Sequence, residues 1–146
     1  MRKALCISHK LIFRMFLGMF LLVAVGVGYT QNVVRVTIPF NFTAGRQSFS
    51  AGEYTFKTDP LFRTMVLRNQ AGHIVSNIPT YSVESKAASN SGKLVFNRYG
   101  GRYFLAEIWG AESTSGRQLI MSPVEIEMAN AQHSPGQQIA LNLAPH

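Results

Sequence analysis

After residue 30, the chain contains short runs in which apolar side chains occupy every second position. The clearest run is Val34–Phe42, and a second one is Glu53–Lys57. A period of two predicts strands with one buried face, and Thr43–Arg46 supplies turn residues between the runs. Pro39 has no backbone N–H to donate to a neighbouring strand, which predicts a sheet edge or a bulge there. The domain is therefore expected to begin as a meander.

Two more runs, Thr64–Arg68 and His73–Tyr81, are rich in strand-forming side chains and are separated by a tight connection at Asn69–Gly72. They predict two further strands joined by a turn. The segment that follows, Ser82–Gly92, is polar and small, which is typical of a mobile surface loop.

The segment Lys93–Trp109 carries the strongest local signal, because two strand-prone runs flank Gly100 and Gly101. Two consecutive glycines can adopt the positive φ angles of a type I′ turn. The pattern therefore predicts a β-hairpin with a two-residue loop.

The register of this hairpin follows from its turn. Phe96 is expected to lie opposite Leu105, and Arg98 opposite Tyr103. The guanidinium can then cover the phenol ring, while the apolar pair faces the core.

A helix signal begins at Ser122, which can act as a cap with Pro123 at the first helical position and Glu125 three residues after the cap. This capping-box pattern predicts a short helix through about Ala131. Apolar side chains also alternate with Glu125 and Glu127, as they would in a strand, and the sequence leaves that alternative open.

The remaining run is Ile139, Leu141 and Leu143, which alternate as a closing strand would. Seven to eight short strands at regular spacing, with one short C-terminal helix, predict an all-β fold. The fold is expected to be an antiparallel β-sandwich or a small barrel, since the strands of both alternate alike. A signal-peptide helix is predicted to precede it.

The first 30 residues have the organisation of a secretory signal peptide. Met1–Arg14 is basic, and Met15–Val27 is apolar and uncharged. The apolar stretch is shorter than the roughly 20 residues that a spanning helix needs, which favours cleavage just before Gln31. The predicted organisation is a signal peptide at residues 1–30, with transient membrane contact, and a single β-rich domain at residues 31–146. An uncleaved N-terminal anchor is the alternative, and in both cases the domain faces outward.

Charge and cysteine content do not favour a nucleic-acid ligand or a lipid anchor. The chain has a formal charge of +7, but four of its 14 basic residues precede the apolar run, which leaves +3 on the remainder. The remaining basic side chains are scattered, so no footprint for nucleic acid is visible. The single cysteine, Cys6, lies in the leader, so the domain is expected to have no disulfide.

Candidates for catalysis or metal binding are few. His73, His133 and His146 are far apart and lack a metal-ligand spacing, which favours surface histidines. Glu125 and Glu127 diverge on a helix, which favours two solvated side chains over a carboxylate pair. The domain has no thiol, serine elbow or phosphate loop, so the prediction is a protein that is not an enzyme and carries no cofactor or metal.

Both faces of the segment Arg102–Trp109 carry bulky apolar side chains. Burial of both faces within the fold is the favoured explanation. The alternative is a recognition surface with Tyr99, Tyr103 and Trp109, which would bind a carbohydrate, a lipid or a protein.

Four motifs give the chain a resemblance to a known group. They are Val36–Phe42 (V-x-x-P-F-x-F), Ala51–Tyr54 (A-G-x-Y), Leu94–Trp109 (L-V-F-x-R-Y-G-x-x-Y-F-L-x-x-x-W) and Gly116–Leu119 (G-R-x-L). The chain resembles the small secreted bacterial proteins of unknown function that occur in many copies in some environmental bacteria. The resemblance implies an exported β-rich domain with no established activity, and therefore no catalytic residue.

These features together predict an exported, non-catalytic β-domain that serves as a binding or structural module of the cell envelope or extracellular space. Its location is expected to be secreted or periplasmic, and its partner an envelope or extracellular component. The alternative is a membrane-tethered accessory protein that an uncleaved N-terminal helix holds in place.

Overall fold

The computed structural model of the chain describes residues 33–59, 63–133 and 135–143. The predicted signal-peptide helix and its cleavage site lie outside the described residues. Within the described part, strands predominate and one helix, α1, is present. The elements are β1 (Val33–Ile38), β2 (Phe42–Ala44), β3 (Gln47–Phe49), β4 (Gly52–Asp59), β5 (Thr64–Asn69), β6 (Ile74–Glu84), β7 (Lys93–Tyr99), β8 (Arg102–Trp109), β9 (Ser115–Leu119), α1 (Pro123–Gln132) and β10 (Gln137–Asn142).

The strands of the described residues form one open sheet in the order β1-β4-β5-β6-β9-β8-β2-β3. β9 and β2 share one edge of β8, where they pair with residues 107–109 and 103–104. β7 pairs along the other edge of β8, and β10 lies beyond β7. The pairs are antiparallel, apart from the short parallel pair of β2 with β8. The long strand β6 connects two halves of the sheet, because residues 74–79 pair with β5 and residues 80–84 pair with β9. The prediction of a strand-rich fold with one short C-terminal helix is confirmed.

The core is a single cluster of buried apolar side chains that both halves of the sheet supply. Its members are Val36, Ile38, Phe42, Ala44, Tyr54, Phe56, Met65, Leu67, Ile78, Leu94, Phe96, Leu105, Ile108 and Leu119. Val36 and Ile38 in β1, like Tyr54 and Phe56 in β4, follow a period of two. The alternating positions therefore face inward, as the sequence pattern indicates.

The first alternating run forms two strands instead of one. β1 ends at Ile38 and β2 begins at Phe42, because Pro39 between them cannot donate to a ladder. Among the described strands β1 pairs with β4 alone, so Pro39 follows an edge strand, as expected. The N–H of Ala51 donates to Asn41 Oδ1 at 2.9 Å, which braces the corner. β2 then pairs with β3, so the expected turn lies inside a small hairpin.

The hairpin of β7 and β8 has the predicted register. Phe96 pairs with Leu105, and Arg98 pairs with Tyr103. The Arg98 guanidinium carbon lies 5.7 Å from the centre of the Tyr103 ring, within the range of a cation–π contact.

The turn of this hairpin is not type I′, so that prediction is wrong. Gly100 has a φ of 60°, whereas Gly101 lies outside the left-handed region. A positive φ at the first central residue alone is the pattern of a type II′ turn. Both turn types connect the same two strands, which explains why the register is still correct.

A β-bulge lies in the middle of this hairpin. The register shifts by one residue between Val95 and Phe96, so Ala106 of β8 has no partner on β7. The extra residue changes which side chains share a face. As a result, Leu105 and Ile108 both point into the core, although their spacing would separate them in a regular strand.

Helix α1 forms where the cap pattern predicts it, and the strand alternative is wrong. Ser122 Oγ accepts a hydrogen bond from the Glu125 N–H at 3.1 Å, and Pro123 is the first helical residue. The helix ends at Gln132 and is followed by His133 with a φ of 50°. The predicted closing strand is present as β10, which pairs with β7.

Two polar segments form strands that the sequence pattern does not predict. β6 continues to Glu84, beyond the predicted end at Tyr81, and β9 occupies Ser115–Leu119. These segments pair with each other. The loop that was expected from Ser82 therefore begins only after Glu84.

Replacing Phe96 with alanine tests the facing of the hairpin. Phe96 is fully buried, and its ring centre lies 5.1 Å from that of Phe40 and 5.9 Å from that of Phe42. We expect the free energy of unfolding, measured by urea denaturation, to fall by about 3–5 kcal/mol. Val33→Ala is the control at an exposed position, and its effect should stay within about 0.5 kcal/mol. An equally small effect of Phe96→Ala would place this ring outside the core.

Alanine at each hairpin glycine tests the turn. Gly100→Ala should destabilise the fold by more than about 1 kcal/mol, because an L-residue resists the positive φ at this position. Gly101→Ala should melt close to the wild type, since its backbone is outside the left-handed region. A new Cβ meets no atom within 4 Å at either position, so a clash cannot explain the difference. Equal melting temperatures for the two variants would contradict the type II′ turn.

Candidate functional site

The face of the β7–β8 hairpin that points away from the core is also buried. It carries Val95, Tyr99, Phe104 and Trp109. Tyr99 is 2% exposed and Trp109 is 9% exposed. Both faces of the hairpin are therefore covered within the fold.

Two glycines allow the large rings on this face to lie directly against backbone. A Cβ at Gly136 would lie 2.7 Å from Tyr99 Cζ, and a Cβ at Gly116 would lie 2.6 Å from Trp109 Cδ2. Contacts this short leave no space for a side chain at either glycine. The Trp109 indole N–H is also satisfied, because it donates to Glu107 Oε2 at 2.8 Å.

Tyr103 lies on the opposite, core-facing side of the hairpin. Its ring stacks on that of Phe40 with centres 4.0 Å apart. The structure therefore does not bring Tyr99, Tyr103 and Trp109 together in one surface. Because Tyr99 and Trp109 are buried, little ring surface of either residue is accessible to a partner.

A buried carboxylate lies beneath the start of α1. Glu125 is 4% exposed, and its Oε1 accepts a hydrogen bond from Asn97 Nδ2 at 2.9 Å. The backbone N–H of Ser122 donates to the same carboxylate, which completes the capping box. Burial raises the pKa of Glu125, and the two hydrogen bonds partly oppose this effect. The expectation of a solvated side chain is wrong for Glu125, whereas Glu127 is exposed.

This arrangement turns the apolar side chains at the start of α1 outward. Val124 is 43% exposed and Ile126 is 45% exposed, although Glu125 between them is buried. The inward position goes to the acidic side chain because Asn97 of β7 and the cap at Ser122 both donate to it. Apolar surface is thereby left in contact with solvent.

Histidines and carboxylates do not assemble into a metal centre in the described residues. There is no group of three or more His, Cys, Asp or Glu side chains there that could hold an ion. His73 lies in the connection between β5 and β6, and His133 follows α1. His146 lies outside the described residues. None of the helical structure described has the length and apolar character to cross a membrane.

A groove runs between the β2–β3 hairpin and the segment that leads into α1. It consists of two adjoining lobes that share Gly45, Arg46, Ser122 and Pro123. The first lobe has a volume of about 510 Å³ and the second about 450 Å³. Each volume lies within the range of small-molecule binding sites.

The two lobes differ in what they add to this shared centre. The first lobe extends over β6 and includes Ile120 and Met121. The second lobe extends over β8 and includes Arg102, Phe104 and Val124. The groove therefore combines apolar side chains with two guanidinium groups.

Apolar exposure and positive charge coincide in this groove. Ile120 is 60% exposed, Met121 41% and Val124 43%. Arg46 and Arg102 are also exposed, and none of the described residues that line the two lobes is acidic. Arg102 Nη1 lies 3.8 Å from Met128 Sδ, a weak acceptor. Its positive charge is therefore still available to an anionic ligand.

No motif in the sequence predicts the groove. The one local signal is that Ile120 and Met121 directly precede the cap at Ser122. An apolar residue before a cap commonly packs against the first helical turn, so this signal does not by itself indicate a site. The groove forms only when β2, β3, β6 and β8 meet the start of α1.

Comparison with protein-family models, with curated proteins and with solved structures finds no significant match to this chain.

Glu125→Gln tests the buried carboxylate. The raised pKa means that the folded state holds the proton more tightly than the unfolded state, so stability is lost as the pH rises through the folded pKa. Glutamine keeps an acceptor for Asn97 and cannot ionise. We expect the wild type to lose free energy of unfolding relative to Glu125→Gln as the pH rises above the ordinary glutamate range of about 4–4.5, measured by urea denaturation.

Glu127→Gln is the control for this experiment, because it removes the same charge from an exposed position on the same helix. Its stability should follow the pH dependence of the wild type. A Glu125→Gln profile parallel to that of the wild type would show that Glu125 ionises as easily in the folded as in the unfolded state.

Proposed function

We propose that this chain is an exported, non-catalytic binding module of the cell envelope or extracellular space, and that the groove is its binding site. The observation that carries the proposal is the coincidence of Ile120, Met121 and Val124 with Arg46 on one exposed surface. Apolar surface of this kind commonly marks a site of interaction. Convergent charged groups beside it supply orientation and specificity for a partner.

The fate of Glu125 supports a binding role over a catalytic one. Glu125 is the described carboxylate with a raised pKa, and such groups are candidates for acid–base chemistry. Its carboxylate, however, is occupied by Asn97 and by the backbone of Ser122. These contacts hold α1 on the β7–β8 hairpin, so Glu125 has a structural role in positioning the segment that lines the groove.

The finer architecture in this proposal is a sandwich in which the two halves of the sheet pack face to face. The shared strand β6 and the single core that both halves supply support this arrangement. Among the described strands no pairing joins β1 to β3 or to β10, which supports a sandwich over a closed barrel.

Export is proposed from the sequence of the leader. The basic segment Met1–Arg14 followed by the apolar segment Met15–Val27 has the order of a signal peptide. The resemblance to small secreted bacterial proteins agrees with this destination. The second candidate is a membrane-tethered accessory protein, which the same apolar segment supports if it is not cleaved.

Mass spectrometry of the protein recovered from the envelope and the medium of the producing cell tests this proposal. A native mass that starts near Gln31 and includes a retained molecule is the result expected of an exported binding module. A full-length mass that stays in the membrane pellet after a high-salt wash would overturn cleavage and favour the tethered form.

Two serine variants test whether the groove holds the retained molecule. Ile120 in the groove and Ile74 outside it are equally exposed, at 60% and 59%. Ile120→Ser should reduce the fraction of protein that carries the molecule at least about threefold, since the side chain contributes apolar burial. Ile74→Ser should leave that fraction unchanged. Equal retention in the two variants would place the molecule elsewhere.

A further inference from the structure

The identity of the groove's ligand can be narrowed from the chemistry of its walls. We propose that the groove binds a single-chain anionic amphiphile of the fatty-acid class, with its head group between Arg46 and Arg102 and its chain along Ile120 and Met121. This inference rests on the proposed function, because it specifies the ligand class of the same site.

Charge and apolar surface are distributed unequally between the two lobes of the groove. Arg46 belongs to both lobes, Arg102 to the second lobe, and Ile120 with Met121 to the first. The second lobe therefore carries both guanidinium groups beside Val124, whereas the first lobe adds the exposed Ile120 and Met121 to Arg46 and has no further charge among its described lining residues. A ligand that matches this distribution is charged at one end and apolar along the rest.

The charge in the groove is positive and is available to a ligand. Arg46 has no ion-pair or hydrogen-bond partner among the described residues, and the described lining contains no carboxylate to neutralise it. A guanidinium presents a planar fork of donors that fits a carboxylate or a phosphate in two parallel hydrogen bonds. The head group of the ligand is therefore anionic.

The groove fits carbohydrate and protein ligands less well than it fits an amphiphile. A carbohydrate commonly packs on an exposed aromatic face, but Phe104, the aromatic residue in the described lining, is only 2% exposed. A stable protein partner needs about 800 Å² on each side. The exposed apolar side chains of the groove are few, and two lobes of about 510 and 450 Å³ suit a narrow ligand better than a broad interface.

Calorimetric titration tests the proposal on the protein recovered after expression of the full chain. The probe is dodecanoate below its micelle concentration, and dodecanol is the uncharged ligand of equal chain length. Dodecanoate should bind with a stoichiometry of one and at least about tenfold more tightly than dodecanol, because a charge-assisted contact outweighs a neutral one. Equal affinities for the two ligands would overturn the role of the arginines.

Matched variants assign the head group and the chain separately. Arg46→Gln should weaken dodecanoate at least about tenfold and dodecanol little, because it removes a charged contact. Arg35→Gln, on the edge strand β1, removes the same charge outside the groove and should leave binding unchanged. Ile120→Ser should weaken both ligands, and Ile74→Ser neither. Melting temperatures near that of the wild type show that each variant is folded.

Two further outcomes would replace this ligand with another occupant. Binding only to anionic vesicles, without saturation by monomeric dodecanoate, would make the groove a membrane-contacting surface. A dimer that forms without ligand and buries Ile120 would make it an interface between copies of this chain. Failure of dodecanoate to bind would overturn this ligand class but not the proposal of an exported binding module. A full-length protein confined to membranes would overturn export without affecting this titration.

Discussion

The burial of both faces of the β7–β8 hairpin is the constraint on which the rest of the structure depends. Phe104 and Leu105 are adjacent in β8 and therefore point to opposite faces, and the bulge at Ala106 returns Ile108 to the face of Leu105, so large side chains must be covered on both sides. One side is covered by the strands that supply the core. The other side requires a second set of contacts, and the chain provides them late in its sequence. Gly116 and Gly136 let backbone approach the indole and phenol rings, and Glu125 of α1 accepts a hydrogen bond from Asn97 on the same face.

The contact that holds α1 in place is polar, although it is buried. Glu125 takes the inward position, where it accepts hydrogen bonds from Asn97 and from the cap at Ser122. A buried carboxylate is costly unless its acceptors are satisfied, and here two donors satisfy it. The consequence reaches the surface, because the apolar Val124 beside it is turned outward. A packing requirement inside the fold thereby contributes one exposed apolar side chain, Val124, to the groove.

The groove links this architecture to the proposed function. Its walls come from the β2–β3 hairpin, from β6 and β8, and from the segment that leads into α1. Its charged side chains are the exposed arginines Arg46 and Arg102, and its exposed apolar side chains lie outside the core. A module of this kind can bind a ligand without catalysing a reaction. Its affinity comes from the burial of Ile120 and Met121 on binding, and Arg46 orients the ligand. Tyr99 and Trp109, which the sequence suggests as recognition residues, are instead buried.

The sequence alone determines the elements whose signals are local. The period of two predicts β1 and β4, and strand-forming side chains before a turn predict β5. The paired glycines predict the β7–β8 hairpin, and Ser122 with Glu125 predicts α1, because each signal depends on residues close together in the chain. The tertiary structure alone decides the rest. β9 is polar and becomes a strand because β6 and β8 lie beside it. Glu125 turns inward because Asn97 of a distant strand donates a hydrogen bond to it. The groove exists only where four strands meet the start of a helix. These features depend on partners far away in the sequence, and a local pattern carries no record of which distant segments will meet.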